Sequence, residues 1–312
     1  MRVVFMGSPP FALPVLAALL DSRHEVAAVV TRPDRPKGRG RSVERSPLVE
    51  LARSRELRVL QPETARDPAF VAELRAISPD VILVASYGEI LKRDVLELAP
   101  HGALNVHASL LPRHRGASPI QAAILAGDRE TGVTIQRMVA KLDEGDVLLA
   151  EKTPIGLHEN AGELLERLAK LGGDAAVRAL DQLAAGTAQF TAQEPSQATY
   201  AKKIEKDSGV VDWTKDASSI ERFVRAMTPW PGARTKDADA RELTLLDVRP
   251  ASSNDIEGRP PGTLVVVDGA PFVVTGHGLL EIRALKPAGK GRIEGTAWLR
   301  GARLQPGARL GA

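Results

Sequence analysis

The stretch Ala103-Leu104-Asn105-Val106-His107-Ala108-Ser109-Leu110-Leu111-Pro112-Arg113-His114-Arg115-Gly116 decides how the first half of the chain is read. It opens as a short apolar strand, and side chains alternate faces along a strand. Asn105 and His107 therefore point the same way, while Leu104, Val106 and Ala108 line the other face against a helix layer. Two hydrogen-bonding groups at the end of a buried strand need partners, because leaving one unsatisfied costs roughly 1–3 kcal/mol. The Pro-Arg-x-Arg-Gly run at residues 112–116 then forces the chain out of the strand. It brings backbone N–H groups and two guanidinium groups to the edge at which open α/β sheets hold their ligands. An Asn-x-His on its own is more often a polar strand end tied to a neighbouring loop, so the surrounding chain has to decide.

Outward from that stretch, strands and helices alternate. Apolar runs predict strands over residues 2–6, 26–30, 58–60, 81–85, 103–107, 132–139 and 147–150. Helical patterns fall at 11–20, with Ser8 as its N-cap, and at 46–54, 67–77, 119–126 and 160–183, where Gly186 ends the last. The alternation predicts an α/β fold, a Rossmann-like doubly wound, mostly parallel sheet. The opening Gly7-Ser8-Pro9-Pro10-Phe11 lacks the second and third glycines of G-x-G-x-x-G, which disfavours a dinucleotide. Lys141-Leu142-Asp143-Glu144-Gly145-Asp146 reads as a hairpin corner without the spacing of a calcium loop.

Apolar periodicity fades over residues 190–207, which read as a linker between a domain at 1–189 and another at 208–312. The second carries one helix at 219–227 and short strands at 243–248, 263–267, 272–274 and 279–284. Short strands separated by Gly, Asp and Pro turns predict a small, OB-like β-barrel. Trp213 and Trp230 are expected as packing residues, the usual role of large aromatics, rather than as base-stacking platforms.

The 312 residues are 43% hydrophobic and 26% charged, ordinary values for a soluble domain protein. The absence of cysteine excludes disulfides, thiolate metal sites and cysteine nucleophiles. No apolar run reaches the length of a signal core or membrane span, so the expected location is the cytoplasm, with no membrane partner. The net charge of +3 is unevenly placed. Arg32, Arg35, Lys37, Arg39, Arg41 and Arg45 face only Asp34 and Glu44, and Lys286, Lys290, Arg292, Arg300, Arg303 and Arg309 face Glu294 alone. Either cluster alone is the pattern of a solvated loop; the two together point to a polyanionic partner held from two sides.

The whole chain resembles the methionyl-tRNA formyltransferase family. The resemblance rests on Met6-Gly7-Ser8-Pro9 with Phe11-Ala12, the basic run 32–40, and Asn105-x-His107 leading into Ser109-Leu110-Leu111-Pro112 and Arg115-Gly116-Ala117. It continues through Leu142-Asp143-x-Gly145-Asp146, Tyr200-Ala201-x-Lys203, Asp212-Trp213 and Pro229-Trp230-Pro231-Gly232-Ala233. Pro10 and His114 depart from the residues more usual there, an acidic and an aromatic side chain.

The resemblance implies transfer of the formyl group of 10-formyltetrahydrofolate to the α-amino group of methionyl-initiator tRNA, with Asn105, His107 and Asp143 catalytic. The folate is expected along Ser109, Leu110, Leu111 and Pro112, with its pterin near the loop of Tyr87 and Gly88. The tRNA is expected on Arg32, Arg35, Lys37, Arg39, Arg41, Lys203, Lys286 and Lys290, and the enzyme as a monomer.

The residue chemistry suits this independently. Attack of an amine on a formamide carbon builds an oxyanion that the Asn105 amide can bind. A histidine, with an ordinary pKa near 6.5, can take the amine's proton and return it to the departing nitrogen. An aspartate beside that histidine favours its charged form and fixes its orientation. The aminoacyl amine is partly neutral at pH 7, so no metal is required. A formyltransferase acting on a nucleotide-linked amino sugar is the alternative, disfavoured by a basic loop far larger than so few phosphates need. A non-catalytic RNA-binding protein would have no use for all three of Asn105, His107 and Asp143.

Overall fold

The computed structural model describes residues 1–34, 36–37, 42–43, 45–251, 258–302 and 307–311. Its contacts divide into two compact units. The first comprises Met1–Pro119, Glu130–Pro154 and Leu165–Ala201; the second comprises Ile120–Arg129, Ile155–Leu164 and Lys202–Ala312.

The first unit is built on strands β1 (Arg2–Gly7) and β2 (Glu25–Val30), separated by α1 (Ala12–Leu20). A two-residue ribbon, β3 (Pro36–Lys37) with β4 (Ser42–Val43), precedes α2 (Pro47–Ser54) and β5 (Val59–Leu60). Then follow α3 (Pro68–Ile77), β6 (Val81–Ala85), α4 (Arg93–Leu96), β7 (Ala103–His107) and β8 (Arg115–Gly116), whereas α5 (Pro119–Ala126) belongs, beyond its first residue, to the second unit. The hairpin of β9 (Glu130–Arg137) and β10 (Val147–Pro154), helix α6 (Ala161–Ala184) and β11 (Tyr200–Ala201) complete the series. The main sheet runs β10-β9-β7-β6-β1-β2-β5. Its members from β5 to β7 are parallel, and β9 and β10 are added antiparallel.

Burial explains the order. The central strand β6 is buried throughout, as an apolar strand covered on both faces must be. Val4, Met6, Val30, Ile82, Val84 and Ala103 pack into one cluster with Phe70, Val71 and Leu74 of α3 and Val95 of α4. On the opposite face α6 approaches closely at Gly172, where a side-chain carbon would stand 2.8 Å from Val106 Cγ1.

Ser8 does not cap α1. The turn at residues 9–11 intervenes, Phe11 occupies the N-cap, and Ser8 Oγ donates instead to the Tyr87 carbonyl at 3.3 Å. The run read as a linker is in part bound structure. Thr191 bridges Val147, and β11 adds to β8 in parallel.

In the second unit α7 (Ala217–Met227) starts at Asp216, whose carboxylate accepts from Ser219 N at 2.8 Å. It packs on a sheet of β12 (Ala233–Lys236), β13 (Glu242–Ala251), β14 (Leu264–Val267), β15 (Ala270–Val274) and β16 (Leu279–Pro287), ordered β12-β13-β16-β15-β14. The short β17 (Ile293–Glu294) pairs with β16 and leads into α8 (Gly295–Ala302). Residues 307–311 close the sheet: Leu264 N donates to Ala308 O beside β14, and Gly311 N to Lys236 O at the end of β12, each at 2.8 Å.

Trp213 is buried and donates to Thr235 Oγ1, as expected of a packing residue. Trp230 is 54% exposed, against that expectation; it follows α7 directly, in the turn at residues 228–231. Helix α8 runs through the basic C-terminal region, and its Trp298 is buried.

Replacing Gly172 with Val overfills the seam between α6 and β7. The expected result is a loss of about 1–3 kcal/mol, read as a lower urea midpoint with an unchanged slope. An unchanged midpoint contradicts the packing described.

Candidate active site

The functional side chains begin with the pairing of β7 and β9. Asn105 lies opposite Gln136 and His107 opposite Thr134, so these four polar residues share one face at the end of the strand pair. Ala103 occupies the same face one step earlier, inside the apolar cluster. The sheet face thus turns from hydrocarbon to hydrogen-bonding groups within β7.

His107 is buried, and its Nε2 lies 3.0 Å from the His114 carbonyl oxygen. A carbonyl only accepts, so Nε2 carries the hydrogen, and the lone pair of the neutral ring sits on Nδ1. Nδ1 is 3.7 Å from Asp143 Oδ2. Asp143 Oδ2 also accepts from Gly116 N at 2.8 Å, and Oδ1 from Gln136 Nε2 at 2.9 Å. Asn105 is half-buried, and its amide makes no hydrogen bond among the described residues, which leaves it open to a substrate oxygen.

The loop after β7 is held by its own polar groups. Ser109 Oγ donates to Arg113 O at 2.6 Å, Thr134 Oγ1 donates to Ser109 O at 2.7 Å, and Leu111 N donates to Thr134 Oγ1 at 3.1 Å. Ser109 is fully buried, whereas Leu110, Leu111 and Pro112 are half-buried. Asp143 has φ +52°. A side chain at the neighbouring Gly145 would stand 1.7 Å from the Arg137 carbonyl, so this turn requires glycine.

The loop after β6 opens at the same edge, because β6 and β7 are adjacent and parallel. The Tyr87 side chain turns away into the core. Its hydroxyl is buried without a partner among the described residues, and burial, followed by the charge of Glu89, pushes its pKa up to about 12. Any ligand contact from Tyr87 therefore rests on its main chain.

Arg32 is committed to the same loop: its Nε donates to Tyr87 O at 3.1 Å and its Nη2 to Gly88 O at 2.6 Å. A side chain at Gly88, φ +78°, would stand 1.9 Å from that Nη2. A cavity of about 570 Å³ beside it is lined by Ser8, Thr31, Arg32, Asp34, Gly88 and Glu89. Ile90, Val139 and Leu142 expose apolar side chains on the loops after β6 and β9.

Lys203, Lys286 and Lys290 are exposed. Arg35, Arg39 and Arg41, and the side chain of Lys37, lie outside the described residues. No helix among the described residues is long and apolar enough to cross a membrane, and no metal-binding group of His, Asp and Glu occurs among them.

Sequence reasoning missed Thr134, Gln136 and Gln193. The first two were visible as polar residues alternating with Val133 and Ile135, a pattern that puts a polar side of β9 next to Asn105 and His107. Gln193 carries no local signal at all. Its Nε2 donates to Asp143 O at 2.8 Å and Gly145 O at 2.7 Å, and its Oε1 accepts from Arg115 Nη2 at 2.8 Å.

Residues 1–180 match the formyl transferase family, and residues 203–303 match the formyl transferase C-terminal domain. The chain is 46% identical over 312 residues to the methionyl-tRNA formyltransferase of Roseiflexus sp. (strain RS-1), covering 100% of this chain and 95% of that one. Among solved structures, HypX from Aquifex aeolicus in complex with tetrahydrofolic acid superposes with a TM-score of 0.62 at 21% identity, over 96% of this chain and 47% of that one. An N-formyltransferase from Helicobacter canadensis, in complex with folinic acid and dTDP-3-aminofucose, superposes with a TM-score of 0.64 at 15% identity, over 90% and 98%. At these identities the two structures share the fold alone.

Arg32→Ala is expected to loosen the loop after β6, because two carbonyls lose a charged donor. Amide hydrogen exchange at residues 86–90 checks it. Faster exchange there supports the clamp, and an unchanged rate contradicts it.

Proposed function

The chain belongs to the formyl transferase family, and from that membership we propose that Asn105, His107 and Asp143 carry formyl transfer to methionyl-initiator tRNA. The observation that carries the catalytic reading is the meeting of His107 Nδ1 with Asp143 Oδ2 at 3.7 Å, beside an amide of Asn105 with no hydrogen-bond partner among the described residues. The acceptor follows from full-length similarity to methionyl-tRNA formyltransferases. Its product is N-formylmethionyl-tRNA, and the donor class is a formyl-tetrahydrofolate.

In the reaction the methionyl α-amino nitrogen bonds to the formyl carbon of 10-formyltetrahydrofolate, and the bond from that carbon to the folate nitrogen breaks. Asn105 donates its amide N–H to the oxygen on which negative charge develops; losing such a donor costs about 10²–10³ in rate. His107 accepts the amine's proton at Nδ1, because Nε2 is occupied by its bond to His114 O. Asp143 stabilises the imidazolium so formed, and Nδ1 then returns the proton to the departing nitrogen. Each proton is accounted for without a metal.

The folate lies along Leu110, Leu111 and Pro112, held in place by buried Ser109. Its pterin reaches the main chain of Tyr87 and Gly88, and Ile90, Val139 and Leu142 supply an apolar rim suited to a flat ring. The phosphates of the tRNA meet Arg35, Lys37, Arg39 and Arg41, and also Lys203, Lys286 and Lys290. Arg32 stands at the base of the basic loop, with its guanidinium engaged by the loop after β6.

The function is tested with methionine-charged initiator tRNA, charged elongator tRNA and an amino-sugar nucleotide as parallel acceptors. Formylation of initiator tRNA is the expected result, and formylation of the sugar nucleotide instead overturns the acceptor. His107→Ala is expected to lower turnover by at least about 10²-fold with folding intact; a variant retaining a tenth of the activity contradicts the proton-transfer role. Replacing Arg39 and Arg41 with Ala should weaken tRNA use and flatten its salt dependence, and an unchanged salt slope removes that loop from the interface.

A further inference from the structure

We propose that Gln193, acting through Gln136, is a positioning residue that fixes the carboxylate of Asp143 against His107. The proposal rests on the assignment of Asp143 to the reaction. It concerns a residue in the stretch that sequence alone reads as a linker, 50 positions from the aspartate it serves.

The orientation of both amides is settled by their partners. Gln193 faces two carbonyls, Asp143 O and Gly145 O, and these accept only, so its NH₂ group points at them. Its other terminal atom faces Arg115 Nε at 3.1 Å and Nη2 at 2.8 Å, which donate only, so that atom is the oxygen. Gln193 Nε2 also lies 3.3 Å from Gln136 Oε1, a longer third contact that shares one of its two hydrogens. Gln136 therefore turns its own NH₂ to Asp143 Oδ1, at 2.9 Å. A directed series runs from Arg115 through Gln193 and Gln136 to Asp143.

Asp143 needs such support. Its φ of +52° lies in the left-handed region, which side-chain-bearing residues seldom adopt, and the turn around it has Gly145 as its only flexible member. Gln193 fastens the main chain on either side of Glu144, while Gln136 and Gly116 N hold the two carboxylate oxygens. Gln193 is itself anchored. Thr191 and Val147 exchange two backbone bonds at 2.8 and 2.9 Å, and the Arg137 guanidinium lies 4.1 Å over the Phe190 ring.

The consequence is chemical. Asp143 Oδ2 faces Nδ1 across 3.7 Å without a direct hydrogen bond. Its support of a protonated His107 is therefore Coulombic, falling with separation and with any water let between them. A displacement of about 1 Å at a reacting group can cost on the order of 10²-fold in rate.

The test compares Gln193→Ala, Gln193→Glu, Gln136→Leu, the double variant Gln193→Ala/Gln136→Leu and Asp143→Ala, measuring kcat, KM for both substrates and the pH dependence of kcat. Gln193→Glu keeps the shape and the acceptor for Arg115 but cannot donate to the two carbonyls, so it separates donation from packing. The expected result is a 10–100-fold fall in kcat for each single glutamine variant, with KM within twofold. The pH profile should move as it does for Asp143→Ala, and the double variant should be no worse than the poorer single. A fully active Gln193→Glu, a loss confined to KM, or losses that multiply in the double variant overturns the proposal while leaving Asp143 in place. An active Asp143→Ala overturns the assignment of Asp143 itself.

Discussion

The bond from His107 Nε2 to the His114 carbonyl fixes most of what surrounds it. The N–H of a histidine buried at the end of a parallel strand needs an acceptor, or the fold loses stability. The chain satisfies Nε2 by turning back within seven residues, and the loop that makes this possible is braced by Ser109 and Thr134. The same return delivers Arg115 and Gly116 to the edge of the site, where Gly116 N holds Asp143 and Arg115 holds Gln193. With Nε2 committed, only Nδ1 is left to exchange a proton, and it faces the aspartate.

The site is thus assembled from four separate parts of the chain: the end of β7, the polar face of β9, the turn before β10 and the segment preceding β11. None is held by a long-range charge alone. Each is joined to the next by a directional bond whose donor and acceptor cannot be interchanged, which makes the geometry specific. The apolar cluster under Ala103 and the seam between Val106 and Gly172 supply the rigidity on which those bonds act. Chemistry placed on the end of a packed strand inherits the precision of the sheet.

Much of this was legible in the sequence because it depends on period. The alternation of Leu104, Val106 and Ala108 with Asn105 and His107 gave the faces of β7, and apolar runs gave the sheet from β1 to β7. What escaped depends on contacts between distant residues. Gln193 lies in a polar run with no periodicity, and its role exists only once Thr191 has paired with Val147. Arg32 was read with the other cations as a phosphate contact, since charge carries no information about direction; its guanidinium is taken up by the Tyr87 and Gly88 carbonyls. The barrel closure by residues 307–311 was hidden because that stretch bonds through its backbone, on which side-chain pattern says little. Ser8 had the composition of a helix cap, but the turn at residues 9–11 separates it from α1.

The most direct measurement is of the two ring nitrogens of His107 by ¹⁵N NMR in the free enzyme, at a pH where the ring is neutral. The account predicts that the hydrogen resides on Nε2 and the lone pair on Nδ1, and that on acidification the second proton adds at Nδ1. A ring protonated at Nδ1 in its neutral form contradicts it, because the nitrogen facing Asp143 would then have no lone pair with which to take the amine's proton.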